Sequence, residues 1–582
     1  MQVSNIMNRN TPNRIYTLSK CRATCPSAPM PFFFQVLVVF ITLHGGVNSY
    51  AQDKSNEIDK IFNWATVETP GCACAVSQNG KVVYNKGFGA ADLERNVAIS
   101  TNSVFDAASV VKQFVAASTL LLVEEGKLSL TEDIHKYIPE LPDYGKKITL
   151  DHLLTHTSGI RDWTGIISLT AGNEDALTLI LRQKGLNFAP GDEFSYSNSG
   201  YVLLKEIVAR TSGMSFDDFT HKRLFEPLGM QHTAYRTDMK VIVKDRALAY
   251  DKGSKGWSMS MKLDKDRGGG GGLLSTPSDL LIWNDALTNN RLGSFVTQKL
   301  QEPAILNQGR KLGYARGLFL DTFRGTKEVW HSGGAAGYST WLGRFSEQGL
   351  SIALMCNTDA MGTSNMAHRI ASLYLPATTT STADNTIPPI AADGVDTVIL
   401  NLNSRTGLYW SETTGEPLRL VVDHGRLRFD DGPALVAQAK DHFKRWGTSL
   451  QYMSGDEFTV NFLFPDQFEL KSMDGKTTRY RRAKPYAHTI EELKAFAGRY
   501  SSDEIGIVFQ IRSKGDGLLA TIEHTPSYSL PLKPVDTDTF QLGRMLMRFK
   551  RDKSGKIVAL DYTNPVIHNI PFTRLNNPDS HL

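Results

Sequence analysis

Apolar residues recur at spacings of three and four between Val110 and Leu122, and the run ends at Gly126. This period predicts a buried helix, and a glycine just after the last periodic residue is typical of a helix C-terminus. Residues 199–213 show a similar apolar pattern and end at Gly213. The first half of the chain therefore contains two predicted buried helices.

Strand-like segments lie on both sides of this helical region. Residues 71–93 predict two strands around a turn at Asn79-Gly80, and residues 340–343 and 351–355 predict late strands. Early strands, central helices and late strands indicate one antiparallel sheet whose first and last parts lie side by side. We therefore predict an α+β fold, with an antiparallel sheet next to a helical region.

The composition changes after residue 376. Residues 377–397 contain a Thr/Ser/Ala run and Pro388-Pro389, which indicates a linker. Beyond this linker the apolar period becomes short and two-fold, with turn residues about every ten positions. This pattern predicts all-β structure for the rest of the chain.

The all-β tail is duplicated. Gly407-Leu408-Tyr409-Trp410-Ser411 has a counterpart 91 residues later in Gly498-Arg499-Tyr500-Ser501. A copy of about ninety residues suffices for a small closed barrel. We therefore predict two β-barrels, over residues 398–485 and 486–582, with no catalytic constellation in either.

The N-terminal segment is interpreted as a targeting signal. Lys20 and Arg22 precede the apolar run 32–43, and Ser49-Tyr50-Ala51 has the small–x–small pattern of a cleavage site. The apolar run is too short to span a bilayer comfortably. Residues 1–51 are therefore predicted to be a signal peptide, which leaves a periplasmic or secreted protein with no stable membrane span.

Two alternatives stay open for this segment. One is an uncleaved N-terminal anchor, and the other is translation that begins at Met7 or Met30. The segment between the predicted signal peptide and the predicted linker, residues 52–376, is predicted to be a catalytic domain. At 582 residues the chain is long enough for several domains.

Composition narrows the class of protein and partner. A hydrophobic content of 41% and a charged content of 21% are those of an ordinary globular protein. The formal net charge of +4 is small for this length, and there is no long cluster of Lys and Arg. We therefore expect no nucleic acid partner.

Three cysteines remain after the predicted signal peptide: Cys72, Cys74 and Cys356. Cys72 and Cys74 alternate along a predicted strand and face the same side, where residues two apart rarely bridge each other. The odd count indicates no disulfide framework. We predict buried free thiols. A Cys nucleophile is the alternative, and no partner motif supports it.

Ser109 and Lys112 are three residues apart at the start of the first predicted helix. They share a helix face, and the helix N-terminus supplies unpaired N–H groups and partial positive charge. A hydroxyl there has an amine beside it and donors for a developing oxyanion. Alone, a Ser-x-x-Lys pair is usually an ordinary surface pair.

Two further motifs change this interpretation. Tyr196-Ser197-Asn198 follows Ser109 by 87 residues, and His331-Ser332-Gly333-Gly334 follows it by 222. Each is common by chance, as a second Tyr-x-Asn at Tyr562-Thr563-Asn564 illustrates. Taken together, in this order and with flanking segments at 71–93, 153–159, 271–280 and 331–339, the motifs are specific to one protein family. The chain resembles the serine β-lactamase-like family, which includes penicillin-binding proteins, β-lactamases, related esterases and D-aminopeptidases.

The resemblance covers roughly residues 55–375, and it is specific to the family and not to one activity. It implies a β-lactamase/transpeptidase-like catalytic domain. The tail is similar to the lipocalin-like barrels appended to some D-aminopeptidases. The barrels are interpreted as a structural cap or an oligomerisation surface. The alternative is that they form a wall of the active site that restricts the size of the substrate.

A serine hydroxyl needs an adjacent base at neutral pH, and no Asp-His pair is placed for a triad. Lys112 and Tyr196 are the candidates, and each would need a depressed pKa. The resemblance implies that Ser109 attacks the substrate carbonyl and becomes acylated. It also implies that Lys112 and Tyr196 share the proton transfers, with Tyr196 passing the proton to the leaving amine. Water activated by the same pair would release the product.

The resemblance also implies roles in substrate binding. Asn198 would bind the substrate amide or hold Lys112. His331 stands where many relatives have a Lys. A His at this place weakens the expectation of a carboxylate-binding site, and it is seen in D-aminopeptidase-like and esterase-like relatives. The N–H groups of Ser109 and Gly334 would form the oxyanion hole. Gly333 and Gly334 would let their strand approach the substrate closely.

Two other patterns are interpreted as structural. His152 and His156 have the spacing of a zinc pair but lack the adjacent Glu of that motif. Arg267 with Gly268 to Gly272 has no following Lys-Ser/Thr, so a mobile loop near the site is favoured over a phosphate loop. We predict neither a metal nor a cofactor.

The sequence thus predicts a secreted or periplasmic serine hydrolase that acts on small amides or peptides, including those with a D-residue. An esterase, a β-lactamase and a non-catalytic penicillin-binding or sensor protein stay open as alternatives. The expected partner is a small-molecule or peptide substrate. A homo-oligomer also stays open.

Overall fold

The computed structural model describes residues 54–170, 174–236, 240–260, 272–376, 402–411, 415, 417–423, 425–430, 434–445, 458–472, 477–484, 486–527, 529–543 and 545–575. The predicted signal peptide, the predicted linker and the segment from Arg267 to Gly271 lie outside the described residues. In the part that is described, no helix is both long and apolar enough to cross a membrane.

A six-stranded antiparallel sheet forms the centre of the catalytic domain. Its strands, in spatial order, are Phe319–Phe323, Thr326–Ala335, Tyr338–Phe345, Leu350–Cys356, Cys72–Gln78 and Lys81–Phe88. The first strand in the chain pairs with the last one, and Val76 lies opposite Ile352. The predicted α+β fold and the predicted pairing of early and late strands are confirmed.

Alternate residues of the first strand belong to two different hydrophobic clusters. Ala73 and Ala75 pack into the cluster that contains the central helices, whereas Cys74 and Val76 pack towards helix Thr363–Ser372 on the other face. This alternation is expected of a strand covered on both sides. The sheet is therefore the middle layer of the domain.

The prediction of free thiols at Cys72 and Cys356 is wrong. The two residues lie opposite each other on the paired first and last strands, with Cα atoms 4.0 Å apart, and they form a disulfide. Counting cysteines missed it because the pairing depends on closure of the sheet across 284 residues of sequence. Cys74 is a buried thiol, as predicted, and burial raises its pKa far above the ordinary range.

The two predicted helices are confirmed as Val111–Glu124 and Asn198–Ser212. The second begins where the Ser197 side chain accepts a hydrogen bond from the Gly200 N–H, and it ends at Gly213, whose φ of 69° favours glycine. The other helices of the catalytic domain are shorter: Leu150–Leu154, Thr164–Ile167, Ala176–Leu181, Phe216–Thr220, Glu226–Leu228, Pro277–Thr288, Ser294–Leu300 and Thr363–Ser372. The domain also contains short strands outside the central sheet: Ala90–Asp92, Val97–Ala98, Phe105–Asp106, Ala234–Tyr235, Tyr250–Gly253, Gly256–Met259 and Leu273–Ser275.

Two barrel-shaped all-β domains follow, as predicted. The first is an eight-stranded antiparallel sheet whose edge strands are joined by a bridge between Arg428 and Ala434. Its strands are Gly407–Ser411, Pro417–Asp423, Arg426–Phe429, Leu435–Ala439, His442–Arg445, Phe458–Phe464, Gln467–Ser472 and Thr477–Arg482. The second is closed and follows helix Ile490–Phe496. Its strands are Gly498–Ser502, Ile507–Lys514, Gly517–Ile522, Ser529–Pro534, Thr539–Leu542, Met545–Arg551, Ile557–Asn564 and Ile567–Arg574.

The duplicated motif begins each barrel. Tyr409 and Tyr500 are both fully buried, and each hydroxyl donates to the carbonyl oxygen four residues earlier, that of Arg405 and that of Phe496. The two copies therefore share a local structure as well as a sequence pattern.

Candidate active site

Ser109 lies in a 3-10 turn, Ala108–Val110, directly before helix Val111–Glu124. Ala108 has a φ of 47°, a conformation that a residue with a Cβ rarely adopts, and its N–H donates to the Asp106 carboxylate at 2.7 Å. The partly exposed Ser109 is thus presented on a tightly held turn at the helix N-terminus.

The strand Thr326–Ala335 runs directly beside this turn. A Cβ at Gly333 would lie only 2.6 Å from the Ala107 carbonyl oxygen and 2.9 Å from the Ser109 nitrogen. Only glycine allows the two backbones to approach this closely. Gly334 is the next residue on the strand, so it is brought near the predicted nucleophile.

Lys112 lies one helical turn after Ser109 and is 1% exposed. Its Nζ donates to Ser109 Oγ at 3.3 Å and to Asn198 Oδ1 at 2.9 Å. The same Nζ lies 4.7 Å from the centre of the Tyr196 ring. Two of the three sequence motifs therefore meet at one buried amine, next to the Ser109 hydroxyl whose proton it could take.

Asp162 sets the orientation of Asn198. Its Oδ2 accepts hydrogen bonds from the Asn198 backbone N–H at 2.6 Å and from Asn198 Nδ2 at 3.1 Å. Because the carboxylate takes the amide N–H₂ group, the amide oxygen must face Lys112. Asp162 could not be predicted from the sequence, because a single acidic residue 36 positions before Asn198 forms no recognisable motif.

Tyr196 is a neutral phenol in this site. Burial raises its pKa well above the ordinary value, and the nearby Ser109 side chain offsets only part of this effect. The depressed tyrosine pKa expected from the sequence is therefore not found. Within the described residues its hydroxyl has no protein partner of good hydrogen-bond geometry, which leaves the group available to a bound substrate.

His331 belongs to a chain of hydrogen bonds with Tyr314 and His156. The Ser197 N–H donates to His156 Nδ1 at 3.0 Å, so His156 Nε2 carries the proton and donates to the Tyr314 oxygen at 3.1 Å. The Tyr314 hydroxyl then donates to His331 Nε2 at 3.4 Å, and His331 Nδ1 donates to the Ser332 carbonyl oxygen at 2.5 Å. This order assigns one tautomer to each ring.

Both histidines are uncharged. Burial, followed by the positive charge of Lys112, lowers the pKa of His331 to about 3. The same two causes and His331 itself hold the pKa of His156 well below its usual value. His331 therefore supplies no fixed positive charge to the site.

Both residues of the His152 and His156 pair are engaged in hydrogen bonds within the protein. His156 uses both ring nitrogens in the chain just described, and His152 Nδ1 accepts the Thr149 N–H at the start of helix Leu150–Leu154. Among the described residues no group of three or more potential ligands could hold a metal ion.

The second barrel contacts the segment that carries Asp162. Asn564 Nδ2 donates to the Gly165 carbonyl oxygen at 2.9 Å, and Asn187 Nδ2 donates to the Val566 carbonyl oxygen at 3.0 Å. The Tyr-x-Asn motif that seemed accidental in the sequence thus ends in a residue that contacts the catalytic domain.

The sequence is similar to those of known proteins and protein families. The profile of the family described as Beta-lactamase matches residues 63–375, more than half of the chain, and that of a domain of unknown function, DUF3471, matches residues 482–574. The chain is 30% identical to "Penicillin-binding protein 4*" of Bacillus subtilis (strain 168), over 49% of this chain and 67% of that protein. It is 24% identical to the D-aminopeptidase of Brucella anthropi, over 84% of this chain and 92% of that protein.

One relative and one solved structure complete the comparison. The chain is 28% identical to protein flp of Staphylococcus aureus (strain N315), over 53% of this chain, and it spans 64% of that protein's length. The octameric penicillin-binding protein homologue from Pyrococcus abyssi has a TM-score of 0.50 and 22% sequence identity, over 75% of this chain and 99% of that one. The latter likeness concerns the fold.

Proposed function

Because the chain belongs to the beta-lactamase family, we propose that it is a serine hydrolase that forms an acyl-enzyme at Ser109. The observation that carries this proposal is the position of Lys112 Nζ, 3.3 Å from Ser109 Oγ and 2.9 Å from Asn198 Oδ1. A buried amine beside a serine at a helix N-terminus is the arrangement that nucleophilic catalysis needs.

In the proposed mechanism, Lys112 acts as an uncharged amine and takes the proton of the Ser109 hydroxyl as Ser109 Oγ attacks the substrate carbonyl carbon. The N–H groups of Ser109 and Gly334 stabilise the oxyanion of the tetrahedral intermediate. Tyr196, a neutral phenol, donates its proton to the leaving amine as the carbon–nitrogen bond breaks, and Lys112 returns the proton to Tyr196. Water then attacks the acyl carbon as Lys112 takes a proton from it, the bond between Ser109 Oγ and the acyl carbon breaks, and the proton passes from Lys112 to Ser109 Oγ.

The proposed substrates are small amides or peptides, including those with a D-residue. The neutral His331 supports this class, because a site without a fixed positive charge there has less attraction for the carboxylate of a β-lactam. The match to a D-aminopeptidase across both the catalytic domain and the tail also supports it. We further propose a periplasmic or secreted location, and a homo-oligomer stays open.

The first experiment compares hydrolysis of D-alanyl and L-alanyl p-nitroanilide, a p-nitrophenyl ester and a chromogenic cephalosporin. Ser109→Ala serves as the blank, and we expect it to retain less than about a thousandth of the wild-type activity. Preference for the D-anilide supports the proposal, whereas turnover of the ester alone would make the protein an esterase. A penicillin or fluorophosphonate adduct at Ser109 would eliminate the alternative of a non-catalytic binding or sensor protein.

A further inference from the structure

A buried ion pair joins the second barrel to the catalytic domain next to the site. Glu504 lies in the connection between strands Gly498–Ser502 and Ile507–Lys514, and its Oε2 lies 2.5 Å from Arg161 Nη1. Both side chains are about 5% exposed. We propose that Glu504 is a positioning residue of the active site, which acts through Arg161 and Asp162 on Asn198 and Lys112. This inference rests on the function proposed above.

Several independent contacts hold Arg161 in one place. Glu504 Oε2 also accepts the Lys184 N–H at 2.8 Å, which prevents the carboxylate from following the arginine. The second guanidinium nitrogen, Nη2, donates to the carbonyl oxygens of His568 at 3.0 Å and Asn569 at 3.2 Å, in the last hairpin of the barrel. The Arg161 guanidinium is therefore held by three barrel residues, Glu504, His568 and Asn569.

The backbone transmits this position to Asp162. Ser199 Oγ donates to the Arg161 carbonyl oxygen at 2.8 Å and accepts the Trp163 N–H at 2.9 Å. It therefore binds the backbone of the residues directly before and after Asp162. The Asp162 N–H also donates to the Val566 carbonyl oxygen of the barrel hairpin at 3.4 Å. Barrel residues and the Asn198 helix thus clamp the same three residues, Arg161, Asp162 and Trp163.

A displacement of Asp162 would change the positions of Asn198 and Lys112. Its Oδ2 orients the Asn198 amide, and the Asn198 oxygen accepts the hydrogen bond from Lys112. A shift of about 1 Å in a group that positions a catalytic residue can slow a reaction about a hundredfold. The barrel would therefore affect the rate of the chemical step, and not only the stability of the protein.

The test uses the full chain and two readouts, the rate of Ser109 labelling by a fluorophosphonate and the kcat and KM of the preferred anilide. Glu504→Gln removes the charge and keeps the shape. Glu523→Gln is the matched control, because Glu523 pairs with Arg499 on the exposed side of the same barrel. We expect Glu504→Gln to lower kcat and the labelling rate at least tenfold with KM within twofold, and Glu523→Gln to change neither.

A second variant separates positioning from stability, because an unpaired Arg161 can unfold the protein. Arg161→Met combined with Glu504→Leu removes both charges and leaves no buried charge unpaired. A purely structural ion pair predicts that this double variant regains both its melting temperature and its kcat. The positioning role predicts that kcat per folded molecule stays low after the melting temperature has recovered.

A third comparison tests the route. In an Asn198→Ala background, Glu504→Gln should slow labelling by less than a further twofold, because the residue it acts through is already absent. Wild-type labelling rates per folded molecule in either Glu504 variant, or additive losses with Asn198→Ala, would overturn the inference alone. A wild-type protein that no fluorophosphonate labels would overturn the proposed function, and this inference with it.

Discussion

Replacement of Asp162 by Asn should disable the site without unfolding the protein. Asp162 Oδ1 accepts the Thr164 N–H and the Thr164 hydroxyl, both at 2.8 Å, while Oδ2 accepts the two donors of Asn198. If the new amide oxygen keeps the bonds to Thr164, its N–H₂ group faces the Asn198 N–H and N–H₂ groups. Donors would then meet donors, and Asn198 would have to turn away from Lys112.

The magnitude follows from the number of bonds lost. A hydrogen bond to a charged group contributes about 1.5–3 kcal/mol, and two such bonds that act as a unit do not add fully. A loss of about 3 kcal/mol in the transition state lowers kcat about a hundredfold. The Asp162→Asn variant is therefore expected to keep KM within a few-fold and to lose about two orders of magnitude in kcat.

The assay is steady-state hydrolysis of the preferred anilide, with the melting temperature measured on the same preparation. Asp175→Asn is the matched control, because Asp175 accepts the Thr178 N–H and hydroxyl, both at 2.9 Å, at an exposed helix N-terminus. The control should keep wild-type kcat. If Asp162→Asn retains more than a third of wild-type kcat with an unchanged melting temperature, Asp162 does not hold Asn198 for catalysis.

Three further outcomes are expected. Tyr196→Phe should slow anilide hydrolysis about a hundredfold or more but hydrolysis of a p-nitrophenyl ester less than tenfold, because nitrophenolate leaves without a proton; equal losses would contradict the donor role. Because the pKa of His331 is lowered to about 3 in the folded protein, the unfolded chain takes up a proton at this residue at a higher pH than the folded protein does. The free energy of unfolding should therefore decrease as pH falls from about 6.5 towards 3, by up to ~1.4 kcal/mol per pH unit. His331→Gln should flatten this slope in denaturant titrations at several pH values. Replacing Cys72 and Cys356 by Ala should lower the free energy of unfolding by about 2–5 kcal/mol and leave kcat at 25 °C unchanged; equal stability with and without reductant would contradict a native disulfide.

The parts of the fold and site that follow local rules could be predicted from the sequence. The buried helices, the pairing of the first and last strands, and the two barrels all follow from periodicity and turn residues. The meeting of Ser109, Lys112, Tyr196 and Asn198 was predicted from the resemblance, because a spacing pattern keeps its meaning when the fold is shared.

Contacts that depend on tertiary closure could not be predicted in this way. The Cys72–Cys356 disulfide, the Asp162–Asn198 bonds and the Tyr314–His331 bond join residues whose separation in sequence follows no motif. The protonation of Tyr196 was also mispredicted, because its pKa is governed by burial, which the motif does not encode.

Two hydrogen-bonded groups of residues lie near the reacting groups, and they differ in kind. On the sheet side, neutral His331 and Tyr314 form a chain of uncharged hydrogen bonds, which adds no charge beside Lys112. On the helical side, the Asp162 carboxylate holds Asn198, and the barrel carboxylate of Glu504 anchors the residue before it. Charge-assisted bonds are the stronger ones, so the helical side is the more rigid support. Under the role proposed for Glu504, the second barrel would act on the site through its contacts with residues 161–187.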